Sequence, residues 1–126
     1  MATIERRRFP RVEVELLGEM ISANGEELPA AVDNISIGGI QLRCDAITAL
    51  RMTPRGHLTS KGDRVDFDVR LQLDEGESSA LSVRCRVVFC HRVAQHDYRM
   101  GLEFIDLDTE RSGRVEQFIV DRLQWD

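Results

Sequence analysis

No apolar run in this 126-residue sequence approaches the roughly 20 residues of a membrane-spanning helix, so no membrane insertion is expected. Arg6-Arg7 near the start is followed by Val12-Glu13-Val14-Glu15 where an export signal would place an apolar stretch, so no leader is read there. The three cysteines, Cys44, Cys85 and Cys90, are odd in number and include no CxxC pair. That argues against a disulfide framework and for a reducing, cytoplasmic compartment. Cys85, Cys90, His91 and His96 lie close together, but their spacing matches no zinc pattern, and no metal is expected. A Ser/His/Asp set and paired loop carboxylates are also missing, and His57, His91 and His96 are scattered. The expectation is a protein that is not an enzyme and carries no cofactor. An overall pI near 5.2 with a net charge of -5 speaks against a dedicated nucleic-acid binder.

Lysine is the other scarcity: one, Lys61, among 17 basic residues. Nearly every cation is therefore a guanidinium, whose planar fork grips a phosphate or the Hoogsteen edge of guanine with two hydrogen bonds. Four arginines, Arg6, Arg7, Arg8 and Arg11, crowd into six positions. Residues 1–13 hold these four and two glutamates, a local +2, which leaves -7 for residues 14–126. An anion would be drawn to this one place. Pro10 fixes its own φ and pushes Phe9 out of helical space, so the run reads as an extended arm over residues 1–11. Two readings of the arm stand on composition alone: a ligand clamp, or a solvated basic tail.

The body alternates with period two. Val12, Val14 and Leu16 face inward against Glu13 and Glu15. Asn24-Gly25 is a hairpin turn, and a second strand runs from about Leu28 to Ile35. Asp45 to Met52 reads as a short helical turn stopped by Pro54, and Ser60 to Asp63 as a turn. Val65, Phe67, Val69, Leu71 and Leu73 form the clearest strand, and residues 74–79 a solvated hairpin loop. Leu81, Val83, Cys85, Val87 and Phe89 repeat the alternation; a loop over about 92–97 leads to Tyr98, Met100, Leu102 and Phe104. Asp108 or Thr109 caps a helix with Val115, Phe118, Ile119, Arg122 and Leu123 at amphipathic spacing. The expected fold is all-β: one domain, 1–126, with a six-stranded antiparallel β-barrel over 12–105 and a C-terminal amphipathic helix over 108–124.

Within it, Asp33-Asn34-Ile35-Ser36-Ile37-Gly38-Gly39 breaks the pattern. Ile35 and Ile37 share one face, so Asn34 and Ser36 should share the other. Beyond the glycines the apolar positions become even-numbered, Ile40 and Leu42, so the chain must turn or bulge there. This is either a recognition loop, with glycines that let a ligand or another stretch of backbone come close, or an ordinary turn closed by Ser and Asn side chains.

Arg7-x-x-x-Arg11 followed by Asn34-x-Ser36-x-x-Gly39 resembles the PilZ domain, a bacterial family of cyclic di-GMP receptors, and nothing departs from its RxxxR and [D/N]xSxxG pattern. Gly62-Asp63-Arg64-Val65 before a strand and Tyr98-Arg99-Met100-Gly101-Leu102-Glu103-Phe104 before a helix extend the likeness over about residues 5–122. The resemblance implies a cyclic di-GMP ligand clamped by the arm, with Arg7 and Arg11 on phosphates and guanine O6/N7. Asn34 would read a guanine edge, Ser36 would donate to the ligand or brace Asn34, and Gly39 would permit close approach. Arg6 and Arg8 are secondary candidates, with Asp33, Gly38 and Phe89 behind them. Arg6, just before RxxxR, favours an intercalated dimer of the ligand. Phe89 aligns with a base-stacking aromatic in some members, whereas its parity places it in the core. With no output domain in the chain, the signal would pass by ordering of the arm to an unidentified protein effector. The alternative is an adaptor of the same fold that does not bind the nucleotide.

Overall fold

A computed structural model of the chain describes residues 10–53, 65–73 and 80–125. Arg6, Arg7, Arg8, Phe9, Pro54, His57, the turn at 60–63 and the loop at 74–79 lie outside the described residues.

Six strands, β1 (Val12–Ile21), β2 (Glu27–Ile35), β3 (Gly39–Cys44), β4 (Asp66–Gln72), β5 (Ala80–Ala94) and β6 (Asp97–Ile105), close into a barrel in the order β1-β2-β3-β6-β5-β4, all neighbours antiparallel. The period-two alternation supplies the interior: Val12, Val14, Leu16, Val32, Ile35, Ile40, Leu42, Phe67, Val69, Leu71, Val83, Cys85, Met100 and Leu102 are all buried. Closing the barrel leaves β1 paired with β4 rather than as an open edge.

At the Asn24-Gly25 hairpin, Gly25 holds a φ of +87°, the left-handed conformation this turn requires. One helix, α1 (Ala46–Met52), lies against β6 with Thr48, Ala49 and Met52 buried, and Asp45 accepts the Thr48 N–H at 2.8 Å as its N-cap. The second, α2 (Thr109–Trp125), buries Val115, Phe118 and Ile119. Of the two candidate caps Asp108 serves, accepting the Arg111 N–H at 2.8 Å. Arg111 also donates to the Ser82 carbonyl at 2.8 Å, tying α2 to β5. The apolar stripe ends sooner than its spacing suggests. Leu123 is exposed, and the Arg122 guanidinium lies over the Phe118 ring, 4.8 Å from its centroid.

Two strand expectations need correction. Residues 92–97 are not a loop: β5 runs on to Ala94 and β6 begins at Asp97, leaving only Gln95 and His96 in the turn. More consequential is a β-bulge between Val87 and Phe89. Val87 is buried, Val88 exposed and Cys90 buried again, so Phe89 points to the outer face rather than into the core. One inserted residue reverses the phase of everything after it.

Candidate functional site

The β2–β3 hairpin folds back tightly, with Ile35 opposite Ile40. Strand parity stops at Ile35, and Ser36 therefore does not join Asn34 on the outer face. It is 3% exposed, and its hydroxyl accepts the Gly38 N–H at 3.1 Å and reaches the Gly39 carbonyl at 3.5 Å. The Ser36 N–H donates to the Gly39 carbonyl at 2.8 Å. Of the two readings of this loop, these bonds belong to the closed turn: Ser36 shapes the backbone that Asn34 and the glycines present.

Of the two close approaches expected at the glycines, ligand or backbone, the second is seen at Gly39. A Cβ there would fall well inside van der Waals contact distance of the Leu102 carbonyl oxygen, 3.0 Å from the Glu103 Cα and 3.1 Å from the Leu102 carbonyl carbon. Its glycine is required by the approach of β3 to β6, and the Phe104 N–H donating to the Gly38 carbonyl at 2.9 Å holds that approach.

Asn34 lies in a row that crosses five strands: Glu13 on β1, Asn34 on β2, Gln41 on β3, Gly101 on β6 and Phe89 on β5 are successive cross-strand partners. Arg11, at the end of the arm, donates from Nη1 to Asn34 Oδ1 at 2.7 Å, and Asn34 Nδ2 donates to Gln41 Oε1 at 3.0 Å. Bare Gly101 makes room for the Phe89 ring, which would stand 2.7 and 2.8 Å (Cδ2 and Cζ) from a Cβ at that position. The ring also stacks on His91, centroids 4.7 Å apart and planes 26° from parallel. The row thus ends in an aromatic platform.

Beside the row is a cleft of about 320 Å³ lined by Arg11, Ser36, Gly38, Gly39, Phe89 and Glu103, among others, a size within the range of small-ligand sites. The sequence motif and the arm therefore meet, at Arg11 and Asn34, 23 residues apart in the chain. Asp33 does not join them; its carboxylate lies 4.0 Å from Arg99. Sequence reasoning missed Gln41 and Gly101. A glycine inside a strand was the available signal for Gly101, whereas Gln41 is identified only once β2 and β3 are in register.

Charge separates this cleft from its rival. A hollow of about 350 Å³ near Leu17, Pro29 and Gln72 contains Arg70, but Glu19 at 2.7 Å and Glu27 at 3.6 Å offset that cation. Arg43, Arg84, Arg86 and Arg111 likewise face Asp97, Asp68, Asp66 and Asp108. Arg11 instead donates to a neutral amide, so its positive charge is not cancelled by that bond. The thiols are not poised for chemistry: burial pushes Cys44 and Cys85 up to about 12 and raises Cys90 as well. Among the described residues no group of three or more His, Cys, Asp or Glu is placed to hold a metal, and no helix is long and apolar enough to cross a membrane.

Comparison with known proteins extends this description. The chain superposes on MrkH of K. pneumonia, solved in complex with c-di-GMP, with a TM-score of 0.67 at 18% identity, over 95% of this chain and 53% of that one. YcgR of Escherichia coli, also solved with c-di-GMP, gives 0.67 at 14% identity over 94% and 46%. The PilZ domain of YcgR alone gives 0.64 at 12% identity over 95% and 92%. The chain thus spans about half the length of the first two proteins. No curated protein matches it in sequence. The sequence profile described as "PilZ domain" matches residues 5–121, nearly the whole length, and on that match the chain belongs to the PilZ domain family.

Proposed function

We propose that this chain binds cyclic di-GMP in the cleft between the arginine arm and the β2–β3 turn, and that ligand binding orders the arm to present a changed surface to a protein effector. The observation that carries the reading is the Arg11–Asn34 hydrogen bond, which brings the second arginine of RxxxR onto the first residue of the [D/N]xSxxG motif. The c-di-GMP complexes of MrkH and YcgR support it by likeness of fold.

The chemistry is that of binding. Arg11 has five N–H donors and gives one to Asn34, which leaves the rest of the fork for a phosphate oxygen. Arg7, four positions earlier in RxxxR, would take the second phosphate or guanine O6/N7, with Arg6 and Arg8 assisting. Asn34 offers a base both a donor and an acceptor. Phe89 supplies a face on which a guanine stacks, a contact worth about 1–3 kcal/mol per base in comparable sites. Ser36 and Gly39 act through the shape of the turn. Arm ordering then changes what the effector meets, since a ligand shifts a conformational equilibrium only by its preference for one state.

Isothermal titration of the protein with cyclic di-GMP tests the reading. Saturable heat is expected, lost in Arg7→Ala and Arg11→Ala and strongly reduced in Asn34→Ala. A stoichiometry of two per chain would support an intercalated ligand dimer with Arg6. Absence of heat from the wild-type protein would end the nucleotide reading and leave the adaptor.

A further inference from the structure

The hydrogen bonds Arg11→Asn34→Gln41 run in one direction, and the reason is chemical. A guanidinium can only donate, so the oxygen end of the Asn34 amide must face Arg11. Its nitrogen end then faces β3, where Gln41 meets it with the oxygen end of its own amide. Gln41 is half-buried and lies directly opposite Asn34 in the β2–β3 register. An unrestrained asparagine presents its donor and acceptor in either order, because turning the amide over exchanges them. This one is held at both ends.

We infer that Gln41 is a specificity-determining positioning residue, which locks the Asn34 amide so that the site distinguishes guanine from adenine. The inference rests on the cyclic di-GMP reading above. With one lone pair given to Arg11 and one N–H to Gln41, Asn34 retains one acceptor and one donor, in fixed order along the row. The Watson–Crick edge of guanine presents O6, an acceptor, beside N1–H, a donor. Adenine presents N6–H beside N1, the reverse order. A base laid on the Phe89 platform, with its phosphate at Arg11, cannot turn over to suit the amide. The order fixed by Arg11 at one end and Gln41 at the other therefore selects one base, and the wrong base leaves polar groups unpaired.

The test compares binding of cyclic di-GMP with that of its adenine analogue, cyclic di-AMP, in wild type and in variants of opposite hydrogen-bonding sense. Glu accepts only and preserves the direction of the chain, whereas Lys donates only and opposes it. The two dinucleotides carry the same two phosphates, so the ratio of their Kd values cancels the change in charge that each variant brings. Gln41→Glu should keep the guanine preference of the wild type, or increase it. Gln41→Lys should lower the preference about tenfold, the effect of one hydrogen bond lost to the right base and one gained by the wrong one. Gln41→Leu, which removes the acceptor without adding a donor, should lower it by a smaller factor and serves if lysine is not accommodated. Equal ratios in wild type, Gln41→Glu, Gln41→Lys and Gln41→Leu, with cyclic di-GMP still bound, would overturn the role of Gln41 and leave the nucleotide reading intact. So would a fall in both affinities by a common factor. Wild-type protein that binds neither dinucleotide would remove the reading and the inference together.

Discussion

Replacing Gly39 by alanine separates two explanations of one motif residue. If the glycine serves ligand approach, Gly39→Ala weakens binding and leaves the empty barrel as stable as before. The structure says otherwise. The new methyl would press on the Leu102 carbonyl oxygen and stand 3.0 Å from the Glu103 Cα, both backbone atoms held in the β3–β6 ladder. Conformation is not the obstacle, since Gly39 does not occupy the left-handed region. The penalty is steric, and because no flexible side chain can yield, it lies at the upper end of overpacking costs, about 3 kcal/mol. Unfolding entropy of about 2.1 cal/mol/K per residue makes each kcal/mol worth roughly 4 °C in a chain of this length. Thermal melting by circular dichroism without nucleotide should therefore show Gly39→Ala about 10 °C below wild type. Gly101→Ala is the internal control. The atoms nearest its methyl belong to the Phe89 ring, a side chain on the outer face that can swing outward, so its melting loss should be about a third as large. A Gly39→Ala protein melting within about 2 °C of wild type would refute the packing argument and return the residue to the ligand.

Phe89→Ala should leave the melting temperature within about 4 °C of wild type, because the ring lies on the outer face, while cyclic di-GMP binding measured by titration falls about tenfold or more from lost stacking. Asp45→Ala removes the N-cap of α1 and should cost about 1 kcal/mol in denaturant melts at pH 7. The Thr48 backbone N–H holds the Asp45 carboxyl below its ordinary 3.8, and the Arg111 N–H does the same for Asp108. For a lowered carboxyl the contribution is complete above the unfolded value and fades as pH falls through the folded one, so both helix starts should weaken only below about pH 4, seen as loss of helical dichroism. Cys44 and Cys85, pushed up to about 12, should resist a thiol reagent at pH 8 and react once guanidinium unfolds the chain. Their neutral forms favour the fold up to pH 9, and that contribution declines as pH rises beyond it.

The barrel was legible because its information is local. Val12, Val14 and Leu16, or Val69 and Leu71, declare their face at a spacing of two, and the residues needed to see it are adjacent. Parity fails where a single residue is inserted. Nothing in Val87-Val88-Phe89-Cys90 marks Val88 as the bulge, since all four side chains are apolar and either phase buries two of them. The motif residues were legible as types, and their partners were not. Ser36 reads as sharing a face with Asn34 until β2 is seen to end at Ile35, and the steric demand at Gly39 shows only when Leu102 is found against it. Gln41 carries no signal alone. It acquires one from the β2–β3 register, a relation between two strands.

The same register explains why an asparagine at position 34 differs from the aspartate that the family pattern also allows. An aspartate would meet Arg11 as a charge-assisted pair, roughly twice as strong as a neutral hydrogen bond, and would cancel the cation at the mouth of the cleft. Asparagine holds the foot of the arm with a bond worth about 1 kcal/mol and leaves the charge of Arg11 in place. It also donates to Gln41, which an ionised carboxylate cannot do. Asn34→Asp should therefore convert a lightly held, charged clamp into a tighter, neutralised one and break the link to Gln41. On the reading proposed above, cyclic di-GMP binding should weaken and depend less steeply on salt, because one fewer uncompensated cation meets the phosphates. Titration at two ionic strengths reads both effects. An Asn34→Asp protein binding as tightly as wild type, with the same salt dependence, would mean that the charge of Arg11 is not what holds the anion.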